Sequence, residues 1–95
     1  MFTRVTKYNF EDERFDEILA WGETNRALIE GIDGLRHVDV FRSAPGEGMI
    51  VAEYPNEAAF TAASESVSAV LGDMGQFMTS PPHTHSGTVD QSFGR

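Results

Sequence analysis

The sequence contains no cysteine. That absence excludes disulfides, zinc–thiolate sites, iron–sulfur clusters and a cysteine nucleophile. Basic residues are scarce: seven Lys and Arg stand against fifteen Asp and Glu, a formal net charge of −8. A surface of that sign repels nucleic-acid phosphates and anionic lipid headgroups, so neither nucleic acid nor a membrane is expected as a partner. No apolar run approaches the length of a membrane span. The first residues, Met1-Phe2-Thr3-Arg4-Val5, alternate in character and do not form the apolar stretch of a secretory leader. A soluble cytoplasmic protein is therefore expected. Also missing are Gly-x-Gly-x-x-Gly, a phosphate loop, a Gly-x-Ser-x-Gly elbow and His-Glu-x-x-His. A nucleotide-dependent enzyme or a hydrolase with a familiar signature gains no support.

What is present suffices for one domain over residues 1–95, with 40% hydrophobic and 11% aromatic residues to build a core. A chain this short leaves much apolar surface in water, and pairing with a second copy is a common remedy. The acids Glu11, Asp12, Glu13, Asp16 and Glu17 read as the solvated start of a helix, where negative charge suits the helix dipole.

Alternation over 2–10 predicts a strand, with Phe2, Arg4, Thr6, Tyr8 and Phe10 on one face and Thr3, Val5, Lys7 and Asn9 on the other. Both faces are mixed, so the strand alone does not reveal its core side. A helix is predicted over 12–31, with a stripe of Phe15, Ile18, Leu19, Gly22, Ile29 and Ile32, extended at one edge by Trp21 and Leu28. Gly31 and Gly34 punctuate its end. Residues 35–42 and 49–54 are predicted strands joined by the turn Ala44-Pro45-Gly46-Glu47-Gly48, a hairpin. A second helix opens at Pro55-Asn56-Glu57, with Asn56 as its N-cap. Its stripe is Phe60, Ala63, Val67, Val70, Leu71, Met74, Phe77 and Met78, and Gly72 and Gly75 are expected to break off a short extra turn. Thr79-Ser80-Pro81-Pro82 ends the helical region, and a last strand is expected over 84–93, with Val89 and Phe93 on one face.

The order β-α-β-β-α-β is the ferredoxin-like arrangement, an α+β fold with a four-stranded antiparallel sheet and two helices on one face. The other face is left bare. Its lining is expected to contain aromatic residues, and a second sheet laid against it would close a dimeric α/β barrel.

Three stretches carry a family resemblance: Gly31-Ile32-Asp33-Gly34-Leu35; Met49-Ile50-Val51-Ala52-Glu53-Tyr54-Pro55-Asn56-Glu57-Ala58-Ala59-Phe60; and Pro81-Pro82. With these the chain resembles the antibiotic-biosynthesis-monooxygenase-type domain of the dimeric α/β-barrel superfamily. The resemblance implies a homodimer and a cavity between sheet and helices for small hydrophobic substrates. Some members oxygenate polycyclic phenols with no cofactor, others degrade haem, and several have no demonstrated activity. The family's aromatic at the end of the third strand is usually Trp; here it is Tyr54. Haem-degrading members carry a histidine ligand on the second helix, where this chain has Ala63 and Ser64, so haem degradation is not implied. The implied function is a cofactor-independent monooxygenase acting on a small aromatic or polyphenolic substrate. The alternative is a non-catalytic small-molecule-binding or structural protein.

Among individual residues, Tyr54 could hydrogen-bond a substrate oxygen at a cavity mouth, or simply end a strand as a half-buried aromatic. His37 and Asp39 share one face of a strand and together could act as a general base near neutral pH, or decorate an edge strand. Trp21 could wall the cavity or pack on the sheet. Asn25 is a polar residue in an apolar stripe, either bonded to backbone or facing a cavity. Arg4 and Tyr8 are further possible cavity groups. His83 and His85 lack an evident third ligand and read as a surface pair, so no metal site is expected.

Overall fold

The computed structural model describes residues 1–95. Strands β1 (Phe2–Asn9), β2 (His37–Ala44), β3 (Glu47–Tyr54) and β4 (His83–Thr88) form one antiparallel sheet in the order β2-β3-β1-β4. Helices α1 (Phe15–Thr24) and α2 (Arg26–Glu30) follow β1, and α3 (Glu57–Met74) follows β3. The fold is ferredoxin-like, as the element order predicts.

The two faces of β1 differ completely in burial. Phe2, Arg4, Thr6 and Tyr8 are buried, whereas Thr3, Val5 and Asn9 are half-buried and Lys7 is exposed. Directly paired residues point to the same face of a sheet. The helix-covered face therefore also carries Val38 and Val40 of β2 and Gly48, Ile50, Ala52 and Tyr54 of β3. The bare face carries His37, Asp39 and Phe41, then Met49, Val51 and Glu53, then Thr3, Val5 and Lys7, then His83, His85 and Gly87. The expected aromatic lining of that face reduces to Phe41. The reason lies in β1, whose aromatics Phe2 and Tyr8 both turn toward the helices.

The single helix expected over 12–31 is three pieces. A 3-10 turn, Asp12–Arg14, leads into α1, and Asn25 separates α1 from α2. The Asn25 side chain donates to the Trp21 carbonyl at 2.9 Å, and its backbone lies at φ −98°, ψ 8°. An Asn that bonds nearby backbone competes with regular helix, which accounts for the break. Leu28, read as part of the core stripe, is 61% exposed as a result of this change in direction. Asp12 accepts from the Gly46 amide at 2.9 Å and from Arg42 at 3.2 Å, tying the helix start to the β2–β3 hairpin.

That hairpin is longer than expected. β2 runs to Ala44 and β3 starts at Glu47, so only Pro45 and Gly46 turn. Gly46 has φ 73°, a conformation suited to glycine, and its carbonyl accepts from the Phe10 amide at 3.0 Å. Asn56 caps α3 as expected, its side-chain oxygen accepting from the Ala59 amide at 2.8 Å. Gly72 does not interrupt α3; the helix continues to Met74, and a 3-10 turn covers Gly75–Phe77. β4 stops at Thr88, and beyond it only the Val89 amide still bonds the Met1 carbonyl, at 2.9 Å. Phe93, expected within this strand, is 86% exposed, because β1 ends at Phe2 and offers no further partner.

Two separate hydrophobic clusters hold the helices to the sheet. One contains Phe2, Ile32, Ala52, Tyr54 and Ala63; the other contains Tyr8, Phe10, Ile18, Met74 and Phe77. The inward face of β1 explains the split. It is aromatic at both ends, and its middle is Arg4 and Thr6. No helix of the chain is long and apolar enough to cross a membrane.

Candidate ligand-binding site

The gap between the two clusters is a cavity of about 390 Å³. Arg4 and Thr6 of β1 lie in its sheet wall beside Ile50 and Ala52 of β3 and Val38 and Val40 of β2. Ile18, Trp21 and Gly22 of α1, Ile29 of α2, and Val67, Val70 and Leu71 of α3 form the opposite wall. Local sequence explains the space. At the cavity the inward side chains of β2 are the short Val38 and Val40, neither of them fully buried, and Gly22 presents no side chain on the facing helix. Leu19 and Val40, 45% and 46% exposed, frame an opening between α1 and the edge strand β2. A volume of a few hundred Å³ with mainly apolar walls is the usual form of a small-molecule site.

Two polar groups lie deep in it. The Thr6 hydroxyl stands 3.3 Å from that of Thr84 on the neighbouring strand. Arg4 is only 9% exposed. None of the ion pairs within the chain uses it. Its guanidinium takes part in no side-chain hydrogen bond either. The other charges at the cavity, Glu23, Arg26 and Glu30, are exposed and satisfy one another: Arg26 meets Glu23 at 2.7 Å and Glu30 at 3.5 Å. The Arg26 hydrogen bond, then its charge, holds the Glu23 carboxyl below the usual carboxylate range.

Trp21 is part of the cavity wall, and its direct partners lie on α3 and the turn after it. It packs edge-on against Phe77 at 6.3 Å, and its indole nitrogen donates to Asp73 at 2.6 Å, fastening α1 to α3. Asn25 is bonded to backbone and faces a separate groove between α1–α2 and α3. Tyr8 and Tyr54 belong to the two flanking clusters and are not cavity-lining residues. Burial raises both phenols above their ordinary pKa; for Tyr54 the positive charge of Arg4 works in the opposite direction. Tyr54 is fully buried and not at a mouth. The Tyr8 hydroxyl is buried without a partner.

His37 and Asp39 do meet each other, at 3.0 Å, but both are exposed and both lie on the bare face of the sheet. The strand's period of two directs Val38 and Val40 into the cavity instead. His83 and His85 share that bare face with Lys7 and Val5, and no group of three metal-ligating side chains forms anywhere in the chain.

Of the candidate residues, the cavity thus brings together Arg4 and Trp21, while Tyr54 belongs to the Phe2 cluster beside it. Sequence reasoning missed Thr6, Val38, Val40 and Ile50, and the rim charges Glu23, Arg26 and Glu30. A signal for the valines existed. In Arg36-His37-Val38-Asp39-Val40, the apolar alternate positions are the ones that ordinary amphipathic reading turns inward.

The architecture and the half-open cavity define a ferredoxin-like α+β protein with a ligand-sized pocket between sheet and helices. The fold is the one taken by antibiotic biosynthesis monooxygenases and their structural neighbours. A monooxygenase of Streptomyces coelicolor from the gene ActVA-Orf6, solved in complex with nanaomycin D, matches with a TM-score of 0.79 at 15% identity, over 99% of this chain and 91% of that one. A dimeric ferredoxin-like protein from an uncultured marine organism matches with a TM-score of 0.74 at 19% identity, over 99% and 98%. An antibiotic biosynthesis monooxygenase matches with a TM-score of 0.68 at 16% identity, over 96% and 100%. No protein-family model matches the chain, and no curated protein is significantly similar to it.

Proposed function

We propose that the chain is a cofactor-independent monooxygenase of a small aromatic or polyphenolic compound, bound in the cavity between sheet and helices. The observation that carries this reading is the cavity itself: about 390 Å³, largely apolar, in a fold shared with a monooxygenase solved with the ligand nanaomycin D. The reaction that fits such a site is oxygenation of an activated ring carbon. A substrate CH2 and O2 become C=O and H2O, with all four electrons supplied by the substrate. Trp21, Ile29, Val67 and Leu71 exclude water from the reacting carbon and hold the ring flat between helix and sheet. The test is oxygen uptake by purified protein with anthrones and quinols. Turnover well above the uncatalysed rate is expected, with loss in an Ala52→Phe variant that fills the cavity from the sheet side. No uptake across a broad panel would remove the catalytic reading.

A second reading, binding without turnover, is favoured by one feature. No histidine lines the cavity, and the His37–Asp39 pair is on the opposite face of the sheet. Ligand-induced stabilisation without product would support it.

The assembly belonging to this proposal is a homodimer, formed through the bare sheet face. Val5, Met49 and Val51 are only half-buried there and Phe41 is 47% exposed, an apolar patch that a second sheet would cover. Just 13 of 95 residues are buried in the isolated chain, which leaves a small core to hold the fold without help. Light scattering at micromolar concentration is expected to give twice the chain mass, and Val51→Asp to give a monomer. A monomeric wild type would overturn the assembly.

A further inference from the structure

We infer that the cavity selects an aromatic ligand carrying an anionic oxygen, phenolate or carboxylate, and that Arg4 is the residue that selects it. The inference deepens the cavity reading above and rests on it.

Arg4 is 9% exposed and stands in the cavity wall between Phe2 and Thr6. A guanidinium stays protonated in proteins, and the Arg4 nitrogens, which are not among the fully buried unpartnered atoms, face the open space of the cavity, where an anion could meet them. The chain supplies no such anion. The carboxylates at the cavity are Glu23 and Glu30, and both are held by Arg26 at the exposed rim. Every other ion pair in the chain uses Lys7, Arg14, His37 or Arg42. The nearby Tyr54 phenol is pushed toward its neutral form by burial. A second copy laid on the bare sheet face would not reach Arg4 either, because Arg4 points to the helix side with Ala52 and Ser86, its register partners.

The missing counter-ion is therefore assigned to the ligand. The planar fork of a guanidinium matches a carboxylate, or an aromatic oxygen with its neighbour, and its attraction is strengthened by walls such as Val38, Ile50, Val67 and Leu71. The same charge offers a route to an ionised phenol in a cavity without a histidine. A cation at hydrogen-bond range lowers a phenol's pKa, so the bound phenol releases its proton to solvent through the mouth and remains as the anion on Arg4. In this role Arg4 binds the substrate and replaces a general base.

The experiment compares matched pairs on the full chain by calorimetry at neutral pH: 2-naphthoate against methyl 2-naphthoate, and 2-naphthol against 2-methoxynaphthalene. Wild type is expected to bind at least one anion-forming probe roughly tenfold or more tighter than its methylated partner. Arg4→Gln should erase that preference while keeping affinity for the methylated probes, and Arg4→Lys should restore part of it. Preference confined to the naphthoate pair identifies a carboxylate ligand. Preference for naphthol, with the naphtholate absorbance band appearing at lower pH than in free solution, identifies a phenolic one. Equal binding within both pairs, or a preference that survives Arg4→Gln, would each overturn the role of Arg4 and leave the cavity reading intact. If no naphthalene probe binds folded wild type, the cavity reading fails and this inference falls with it.

Discussion

Tyr54→Ala is expected to lower the melting temperature by roughly 15–25 °C. Tyr54 is completely buried and packs edge-on against Phe60 at 5.3 Å, within the cluster of Phe2, Ile32, Ala52 and Ala63. Truncating a buried aromatic costs about 3–5 kcal/mol, from lost burial and from the cavity left behind. In a chain of 95 residues each kcal/mol corresponds to about 4–8 °C. Tyr54→Phe keeps the ring and should stay within about 1 kcal/mol of wild type. The pair of variants also separates packing from chemistry. If Tyr54→Phe melts like wild type yet loses oxygen uptake, the hydroxyl acts on the substrate or through Arg4. If uptake is retained, the residue is a packing element. A mild effect of Tyr54→Ala on melting would show that the cluster around Phe2 is not a main support of the fold.

Gly48→Ala should be the most damaging of the conservative substitutions, lowering the melting temperature by about 10–15 °C. Gly48 lies opposite Tyr8 in the β1–β3 register, and the Tyr8 ring lies across it. A Cβ at Gly48 would collide with the Tyr8 ring at its Cζ carbon. Tyr8 is 1% exposed and is hemmed in by Phe10 at 5.7 Å, so it has little room to swing away. Overpacking of this kind costs roughly 1–3 kcal/mol. The sign is informative, because exchanging a strand glycine for alanine otherwise favours the folded state by about 0.5–1 kcal/mol. In a Tyr8→Ala background the penalty at Gly48 should disappear. Additive effects of the two substitutions in thermal or urea melts would show that the two residues are not coupled in this way.

The backbone plan was readable because it rests on signals local to a few residues. Asn56 offers a cap oxygen three residues ahead of the amide it receives, Pro45-Gly46 suits a two-residue turn, and Pro81-Pro82 cannot continue a helix. Element ends were less legible. The run through Asn25 looks continuous by periodicity, and only the bond to the Trp21 carbonyl, formed within that turn, shows where it breaks. Gly72 carries a cost in a helix, yet packing of Leu71 and Met74 on either side of it keeps α3 regular.

The sequence by itself determined the charge of the surface, the absence of thiol chemistry, the order of strands and helices, and hence the ferredoxin-like plan. Each follows from composition or from contacts a few residues apart. Tertiary structure decided which face of each strand meets the helices, since β1 mixes aromatic, charged and polar residues on its inward side. It sent His37 and Asp39 to the bare face and Val38 and Val40 to the cavity. It also divided the core into two clusters with a space over Arg4 and Thr6. That Arg4 has no counter-ion is likewise invisible in sequence. An unpaired charge is defined by the position of every acid in the molecule, and only the folded chain sets those positions.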